Sequence, residues 1–218
     1  MKGPPRAGTR TDPDVNGELT TRASGARRRG GRVALAIGGL VAFLVARAGH
    51  ADSAAVPADV QAALLSKLER YDRNFPTRSG ELARVLIVVK PGNAKSDRSA
   101  EEMKSALGRL ANIGGLPHKE LVHDFNGADG LAARCRSDHV AVVYFTPGFD
   151  SELGDIRTAL GKLDVLSLAA SPEYVSQGIV LGFELEAGAP KILFNLEQAR
   201  KQHVDLPASV LRLMKVYR

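Results

Sequence analysis

Hydrophobic positions follow two alternating spacings from residue 57 onward. Residues 85–89 and 140–145 are continuous apolar runs rich in β-branched side chains, and a Pro-Gly pair follows each run. Such runs are typical of strands that are buried on both faces of a parallel sheet. Residues 120–125 and 165–169 predict two further strands, and segments with helical spacing separate all four. This alternation of strand and helix predicts a mostly parallel central sheet with helices on both faces.

Two of the predicted helices have recognisable ends. Asp59 is positioned to cap the first helix, and Pro76 is expected to end it. Its apolar stripe recurs every three or four residues and consists of Val60, Leu64, Leu68, Tyr71 and Phe75. Ser99 and Glu102 match the capping-box pattern, so they are predicted to open the second helix. That helix is expected to stop at the glycine pair of residues 114–115.

The pattern changes after residue 170. Residues 179–186 and 191–195 have strand character, and the segment between them is short enough for an antiparallel hairpin. Residues 196–202 and 207–216 are predicted to be terminal helices. The fold class is therefore α/β, with a C-terminal antiparallel hairpin and terminal helices added to the parallel sheet. We expect a single domain over residues 52–218, because no long polar linker interrupts this region.

The first 51 residues have the order of a signal peptide. Residues 27–32 carry four arginines, and the 14 uncharged residues 33–46 follow them. Small residues then fit a peptidase cut after Ala51 or after Ala48, of which we favour Ala51. The alternative is a retained inner-membrane anchor facing the periplasm, but the apolar run is shorter than the roughly 20 residues that span a bilayer core. The sequence therefore predicts a disordered extension, a signal peptide and export to the periplasm.

The formal net charge of +6 is confined to this leader. Residues 1–51 hold nine Lys or Arg and three acidic residues, out of 30 and 24 in the whole chain. The remaining 167 residues therefore carry 21 basic and 21 acidic side chains. A neutral domain lacks the basic surface that nucleic acid requires, so nucleic acid is not an expected partner.

Motifs for catalysis or cofactor binding are missing from the sequence. The Gly-x-Ser-x-Gly, His-Glu-x-x-His and Gly-x-Gly-x-x-Gly patterns do not occur. Lys95 and Ser96 imitate the end of a phosphate-binding loop, but Ala94 stands where that loop needs glycine. A turn with a solvated lysine is the preferred interpretation. We therefore predict no enzymatic activity, no catalytic residues and no cofactor.

Cys135 is the only cysteine, so it cannot form an intramolecular disulfide. His139 lies four residues after it, and His118 and His123 lie upstream. A structural zinc site needs four ligands, usually in close pairs, and one thiol with scattered histidines does not meet that requirement. We predict no metal site and interpret Cys135 as a small core residue.

Residues 171–178 follow the last predicted parallel strand. They begin beyond its carboxyl end, where open α/β sheets commonly bind ligands. Tyr174, Val175 and Gln177 of this segment, with Phe183 and Phe194 of the predicted hairpin, are our candidate contacts for a partner or ligand. The alternative is that the tyrosine and valine form a plug that covers the core.

Four segments have a recognisable order and spacing: residues 165–168, the run from Ser171 to Phe183, the segment 190–200 with its Asn-Leu-x-x-Ala-Arg box, and residues 206–216. On these segments the sequence resembles the YfiR/HmsC-like family of periplasmic proteins. The resemblance spans about residues 60–216 and is densest after residue 165. Asn195 of the box is also positioned to cap a helix that begins at Leu196, which explains the box without a ligand.

The resemblance implies a periplasmic α/β regulator without enzymatic activity. Better-known relatives form dimers and restrain an inner-membrane diguanylate cyclase by binding its periplasmic sensor region, which lowers cyclic-di-GMP output and biofilm formation. This chain departs from them because relatives use cysteine pairs and a Trp-Pro step, whereas it has one cysteine and no tryptophan. We therefore expect a regulator of a membrane signalling protein, either a diguanylate cyclase or a sensor kinase, and a possible homodimer. The alternative is a periplasmic small-ligand-binding protein that works with a transporter or sensor kinase.

Overall fold

The structure is a computed structural model and describes residues 55–218. Within this range seven strands form one sheet in the order β2-β1-β3-β4-β5-β6-β7. The strands are β1 (Ala83–Val89), β2 (His118–Asp124), β3 (Val142–Phe145), β4 (Leu166–Ala169), β5 (Leu181–Glu186), β6 (Ala189–Asn195) and β7 (Lys215–Tyr217). The helices are α1 (Ala58–Leu68), α2 (Phe75–Ser79), α3 (Ala94–Gly108), α4 (Ala128–Ser137), α5 (Leu153–Leu160), α6 (Glu173–Ser176), α7 (Leu196–Lys201) and α8 (Ala208–Leu211).

Strands β1 to β5 pair in parallel, β5 and β6 form an antiparallel hairpin, and β7 pairs in parallel with β6. The predicted fold class is confirmed. Successive side chains of β1 point to opposite faces, so Ile87 packs with α1 and α3 while Leu86 packs with α4 and α5. The helices on each face therefore cover a separate apolar layer of the same sheet.

The first helix is shorter than the apolar stripe predicts. α1 ends at Leu68, Tyr71 is 55% exposed, and Phe75 begins the separate helix α2. Pro76 stands in the first turn of α2 instead of ending a helix. Proline is tolerated there because the first N–H groups of a helix have no intrahelical acceptor. The prediction of one helix from Asp59 to Phe75 is therefore wrong.

The second predicted helix starts earlier than its capping box. α3 begins at Ala94, and the side-chain oxygen of Asn93 accepts hydrogen bonds from the main-chain N–H groups of Lys95 and Ser96 at 3.0 and 3.2 Å. Ser99 therefore lies inside the helix. The helix also ends at Gly108, before the predicted glycine stop. Asparagine caps a helix as well as serine does. The sequence therefore offers two candidate caps, Asn93 and Ser99, and the helix begins after the first.

The chain ends in a strand and not in a long helix. α8 covers only Ala208–Leu211, and residues 215–217 pair with residues 193–195 of β6. The open edge of β6 supplies hydrogen-bond partners that a solvent-exposed helix end lacks. The predicted helix over residues 207–216 is therefore wrong beyond residue 211, whereas the predicted hairpin and the helix after Asn195 are confirmed.

The predicted signal peptide, the anchor alternative and both cleavage positions lie outside the described residues. Within residues 55–218, no helix combines the length and the apolar character needed to cross a membrane.

Candidate functional site

The carboxyl ends of β1 and β3 mark the point where the chain changes direction across the sheet. β1 lies between β2 and β3, so the connection from β1 runs to one side and the later strands add on the other. Crevices at such switch points are the common ligand sites of open α/β sheets. In this protein residues 90–93 follow β1 and residues 146–152 follow β3, so these two loops frame the candidate site.

Lys90 closes one side of this crevice. Its ammonium group forms an ion pair with Glu152, and it lies 6.0 and 5.8 Å from the ring centroids of Phe125 and Phe149. The hydrogen bond from Lys90 lowers the pKa of Glu152, so this carboxylate is ionised at neutral pH. The lysine charge is therefore already paired with a group of the same chain.

The segment that imitates a phosphate-binding loop is occupied by its own side chains. Asn93 takes the first N–H groups of α3, which a bound phosphate would otherwise use. The hydroxyl of Ser96 accepts a hydrogen bond from the main-chain N–H of Lys90 at 2.7 Å and lies 2.5 Å from the hydroxyl of Thr146. Thr146 in turn donates to the carbonyl oxygen of Val88 at 2.8 Å. Lys95 itself is exposed, as the sequence predicted.

Tyr174 is bonded to the loop that follows β3. Its hydroxyl oxygen accepts hydrogen bonds from the main-chain N–H groups of Gly148 and Phe149 at 2.9 and 2.8 Å. The same hydroxyl lies 3.3 Å from a carboxylate oxygen of Asp150, to which it donates. The side chain is buried, and this burial raises the pKa of the phenol. Tyr174 therefore satisfies two adjacent amide donors of the loop that follows β3.

The segment 171–178 is held in place by close packing. The side-chain amide of Asn195 donates to the carbonyl oxygen of Val175 at 2.8 Å. A Cβ atom added at Gly182 would lie 2.5 Å from the Cγ2 atom of Val175, so only glycine allows this approach. The segment thus behaves as a plug over the sheet, which supports the alternative to direct contact for Tyr174 and Val175.

The structure separates the five candidate contact residues into two groups. Tyr174, Val175, Phe183 and Phe194 are buried, whereas Gln177 is exposed. Phe183 and Phe194 belong to the core layer that α1 and α3 cover. In the described chain only Gln177 of the five offers its side chain to the surface of this edge, and contact with a partner stays a prediction.

A hairpin arm, residues 184–191, projects beyond this edge. β4 pairs with β5 only as far as Gly182, and β7 pairs with β6 only from Leu193 onward. The arm strands therefore pair only with each other, and residues 186–190 are exposed. Positive φ angles of 50° and 81° at Ala187 and Gly188 suit the tight turn of a two-residue hairpin.

Charged side chains alternate along the arm. Glu184 lies 3.1 Å from the ammonium of Lys215 on β7, and Glu186 lies 3.8 Å from that of Lys191. These surface pairs contribute little to stability, so they are available for exchange with charges on another molecule.

His118 lies at the amino end of β2 and Cys135 lies near the end of α4, so both are away from this edge. Both ring nitrogens of His118 have partners, the carboxylate of Glu120 at 2.6 Å and the carbonyl oxygen of Leu110 at 3.0 Å. Burial raises the pKa of the Cys135 thiol to about 12. Over residues 55–218, no three His, Cys, Asp or Glu side chains come together in a group that could hold a metal ion.

Sequence reasoning missed the residues that close the crevice. The sequence did not predict the cap at Asn93, the amide donors of Gly148 and Phe149, or the second hydrogen bond of Asn195. An asparagine directly before the Ala94 helix start was a usable signal, because asparagine is a preferred cap. The amide donors of the loop after β3 carry no sequence signal, since every residue other than proline has an N–H group.

Comparison with known proteins identifies the family. A family model described as YfiR/HmsC-like matches residues 58–215. The chain belongs to this family. The YfiR/HmsC-like family consists of periplasmic regulatory proteins without enzymatic activity, which act through protein–protein interaction with a signalling partner. The resemblance seen in the sequence is therefore confirmed. No curated protein matches the chain.

Two solved structures share the fold. An ABC domain from Streptococcus pneumoniae in complex with L-Trp has a TM-score of 0.51 at 13% identity, and the match covers 74% of this chain and 62% of that one. A conserved domain protein from Vibrio cholerae has a TM-score of 0.52 at 12% identity, with 74% and 60% covered. The chain thus spans less than two thirds of their length. These likenesses show the fold alone.

Proposed function

We propose that this protein is an exported, non-enzymatic regulator that binds the periplasmic sensor region of an inner-membrane signalling protein, such as a diguanylate cyclase. The observation that carries the proposal is that the two loops at the usual ligand edge of the fold are bonded to the chain's own side chains, Lys90 to Glu152 and Tyr174 to the amides of Gly148 and Phe149. Because the chain's own side chains bond to the loops at this edge, its outer surface remains available for contact with another protein. Family membership supports this direction.

The contact surface that we propose combines Gln177 with the hairpin arm. Among the described residues the arm has no strand partner on either outer side, and it carries alternating charges. Main-chain groups and paired charges suit an extended or charged protein surface better than a small molecule. Tyr174, Val175, Phe183 and Phe194 would support this surface from below by fixing the segment 171–178 and the base of the arm.

Export places the regulator on the same side of the membrane as the sensor region. We propose that the leader directs export and is cut after Ala51 or Ala48, with inner-membrane anchoring as the alternative. N-terminal sequencing of the protein recovered from the periplasmic fraction distinguishes these outcomes. Recovery from the membrane fraction with the leader intact would support the anchor.

Crosslinking followed by purification tests the partner. The full chain with a C-terminal affinity tag is expressed in cells, crosslinked and purified from solubilised membranes. We expect a membrane signalling protein with a periplasmic sensor region to be enriched above an untagged culture. The proposal then requires the purified sensor region to bind the purified regulator directly. It fails if no such protein is enriched, or if the purified pair does not bind.

Charge reversal at two matched lysines locates the contact. Lys191→Glu changes the hairpin arm. Lys119→Glu changes β2, the outermost strand on the other side of the sheet. Both side chains lie on strands and outside the core. We expect only Lys191→Glu to weaken binding of the sensor region. Equal binding by both variants would remove the arm from the proposed surface.

The second candidate is a periplasmic binder of small ligands. It is favoured by the likeness in fold to a domain solved with L-Trp. A thermal-shift screen separates the two, because a ligand at 100 times its Kd stabilises a fold by about 2.7 kcal/mol. A reproducible shift of the wild-type protein with a small molecule would favour the ligand binder over the regulator.

A further inference from the structure

Arg78 lies in a buried cluster away from the carboxyl edge. Its side chain is 1% exposed, and it donates to Asp72 Oδ2 at 2.9 Å and to Asp164 Oδ1 at 2.9 Å. It also donates to the carbonyl oxygen of His203 at 3.1 Å. The Glu69 carboxylate is equally buried, but its nearest approach to the guanidinium is 4.0 Å.

The cluster has more acidic groups than basic ones. Glu69, Asp72 and Asp164 surround the single cation Arg78. The two oxygens of Asp72 are satisfied by Arg78 and by the main-chain N–H groups of Asn74 and Asp205. Asp164 is 45% exposed on its side chain and reaches water. Glu69 Oε2 is buried and has no hydrogen-bond partner in the described part of the chain.

A buried carboxyl group of this kind favours its neutral form. Burial raises the pKa of Glu69 to about 8, Arg78 opposes the shift, and Asp72 adds to it. These are the charged groups that face it, while Asp164 and the exposed Arg73–Asp205 ion pair lie further around the cluster. In the folded protein Glu69 therefore keeps its proton at pH values where an exposed glutamate has lost it.

The same residues join two distant parts of the chain. Residues 69–79 comprise the connection between α1 and α2 together with α2 itself, and residues 202–206 follow α7. The N–H of Asp205 donates to Asp72 at 2.9 Å, the N–H of Arg73 donates to the carbonyl of Asp205 at 3.1 Å, and Asn74 donates to the carbonyl of His203 at 2.7 Å. Arg78 adds its own bond to His203. Asp72 and Arg78, which make two of these bonds, are also the charged groups that face Glu69, so separation of the two segments changes the surroundings of Glu69.

We propose that Glu69, Asp72 and Arg78 form a proton-dependent latch that holds residues 69–79 on residues 202–206 and loosens as the pH rises. In the closed latch Glu69 is neutral and buried. In the opened latch it meets water and ionises at its ordinary pKa. The population of the open form relative to the closed form therefore rises by up to about tenfold per pH unit between pH 4.5 and pH 8, and it does not rise further above that range.

Carbon-13 NMR of the folded protein tests the protonation directly. The carboxyl carbon of Glu69 is expected to titrate near pH 8, and Glu69→Gln identifies its signal. A midpoint near 4.5, the ordinary value for glutamate, would overturn the latch.

Hydrogen exchange tests the opening. Peptides that cover residues 69–79 and 202–206 are compared at pH 5.5 and 7.5 after correction for intrinsic exchange rates. We expect opening of the wild-type latch to rise more than tenfold between these values. Glu69→Gln, which resembles the protonated acid and cannot ionise, should show little change.

A matched control separates the latch from general charge effects. Glu101→Gln removes an exposed carboxylate on α3 and should leave the wild-type pH dependence in place. Urea midpoints of all three proteins give a second measurement that does not depend on local exchange. The proposal fails if wild type and Glu69→Gln respond to pH in parallel.

Discussion

Asn195 is joined to Val175 by a hydrogen bond that links two parts of the family motif. Its side-chain amide donates to the Val175 carbonyl at 2.8 Å, while its side-chain oxygen accepts from the main-chain N–H of Gln198 at 2.9 Å. One asparagine therefore caps α7 and anchors the segment that carries Tyr174. A serine or threonine could supply the cap but not the second bond.

Replacement of Asn195 should separate these two roles. Asn195→Ala removes the cap and the anchor, and we expect a loss of about 1–3 kcal/mol in the free energy of unfolding. Asn195→Ser keeps a capping oxygen, so its loss should be smaller. Its segment 171–178 should nevertheless become sensitive to limited proteolysis, as in the alanine variant. Equal stability of the two variants would contradict the dual role.

Removal of the Tyr174 hydroxyl should destabilise the carboxyl edge. Tyr174→Phe leaves the N–H groups of Gly148 and Phe149 without their acceptor, and a buried unsatisfied donor costs about 1–3 kcal/mol. Urea unfolding measures the loss. Tyr144→Phe is the matched control, because the hydroxyl of Tyr144 bonds only a partly exposed Ser99 at 3.2 Å. A larger loss for Tyr144→Phe would contradict the importance of the amide pair.

The parallel part of the fold was predictable because its strands are continuous apolar runs. Residues 85–89 are buried between two helix layers, and that position requires apolar side chains on both faces. The same reasoning failed for α1, since the helical spacing of Tyr71 and Phe75 continues beyond Leu68 although the helix does not. Spacing alone does not distinguish a helix from a turn followed by another helix.

The candidate site was only partly predictable. The position of residues 171–178 beyond a parallel strand followed from topology. That Tyr174 points inward depends on the amides of Gly148 and Phe149, which come from another loop and leave no trace in the sequence. β7 was missed for a related reason, because residues 215–217 form a strand only beside the open edge of β6.

Gly182 should not tolerate a side chain. The Cβ of Gly182→Ala would lie 2.5 Å from Val175 Cγ2, and we expect overpacking to cost about 1–3 kcal/mol of unfolding free energy. Gly108→Ala is the control, since that helical glycine has open space around it and alanine should stabilise it by about 0.5–1 kcal/mol. Val175→Ala should partly relieve Gly182→Ala in a double-mutant cycle. Independent effects would show that the two side chains do not meet.

Cys135 should be unreactive in the folded protein. The thiol is 4% exposed, and burial raises its pKa to about 12, so little thiolate is present at pH 8. Unfolding restores a thiol pKa of about 8.5, and alkylation by iodoacetamide should then be much faster. Ser137→Cys, two residues away at an exposed position, supplies a thiol that should react at once in the native state. Native Cys135 that reacts as fast as this control would indicate that the thiol is open to water and able to take part in redox chemistry.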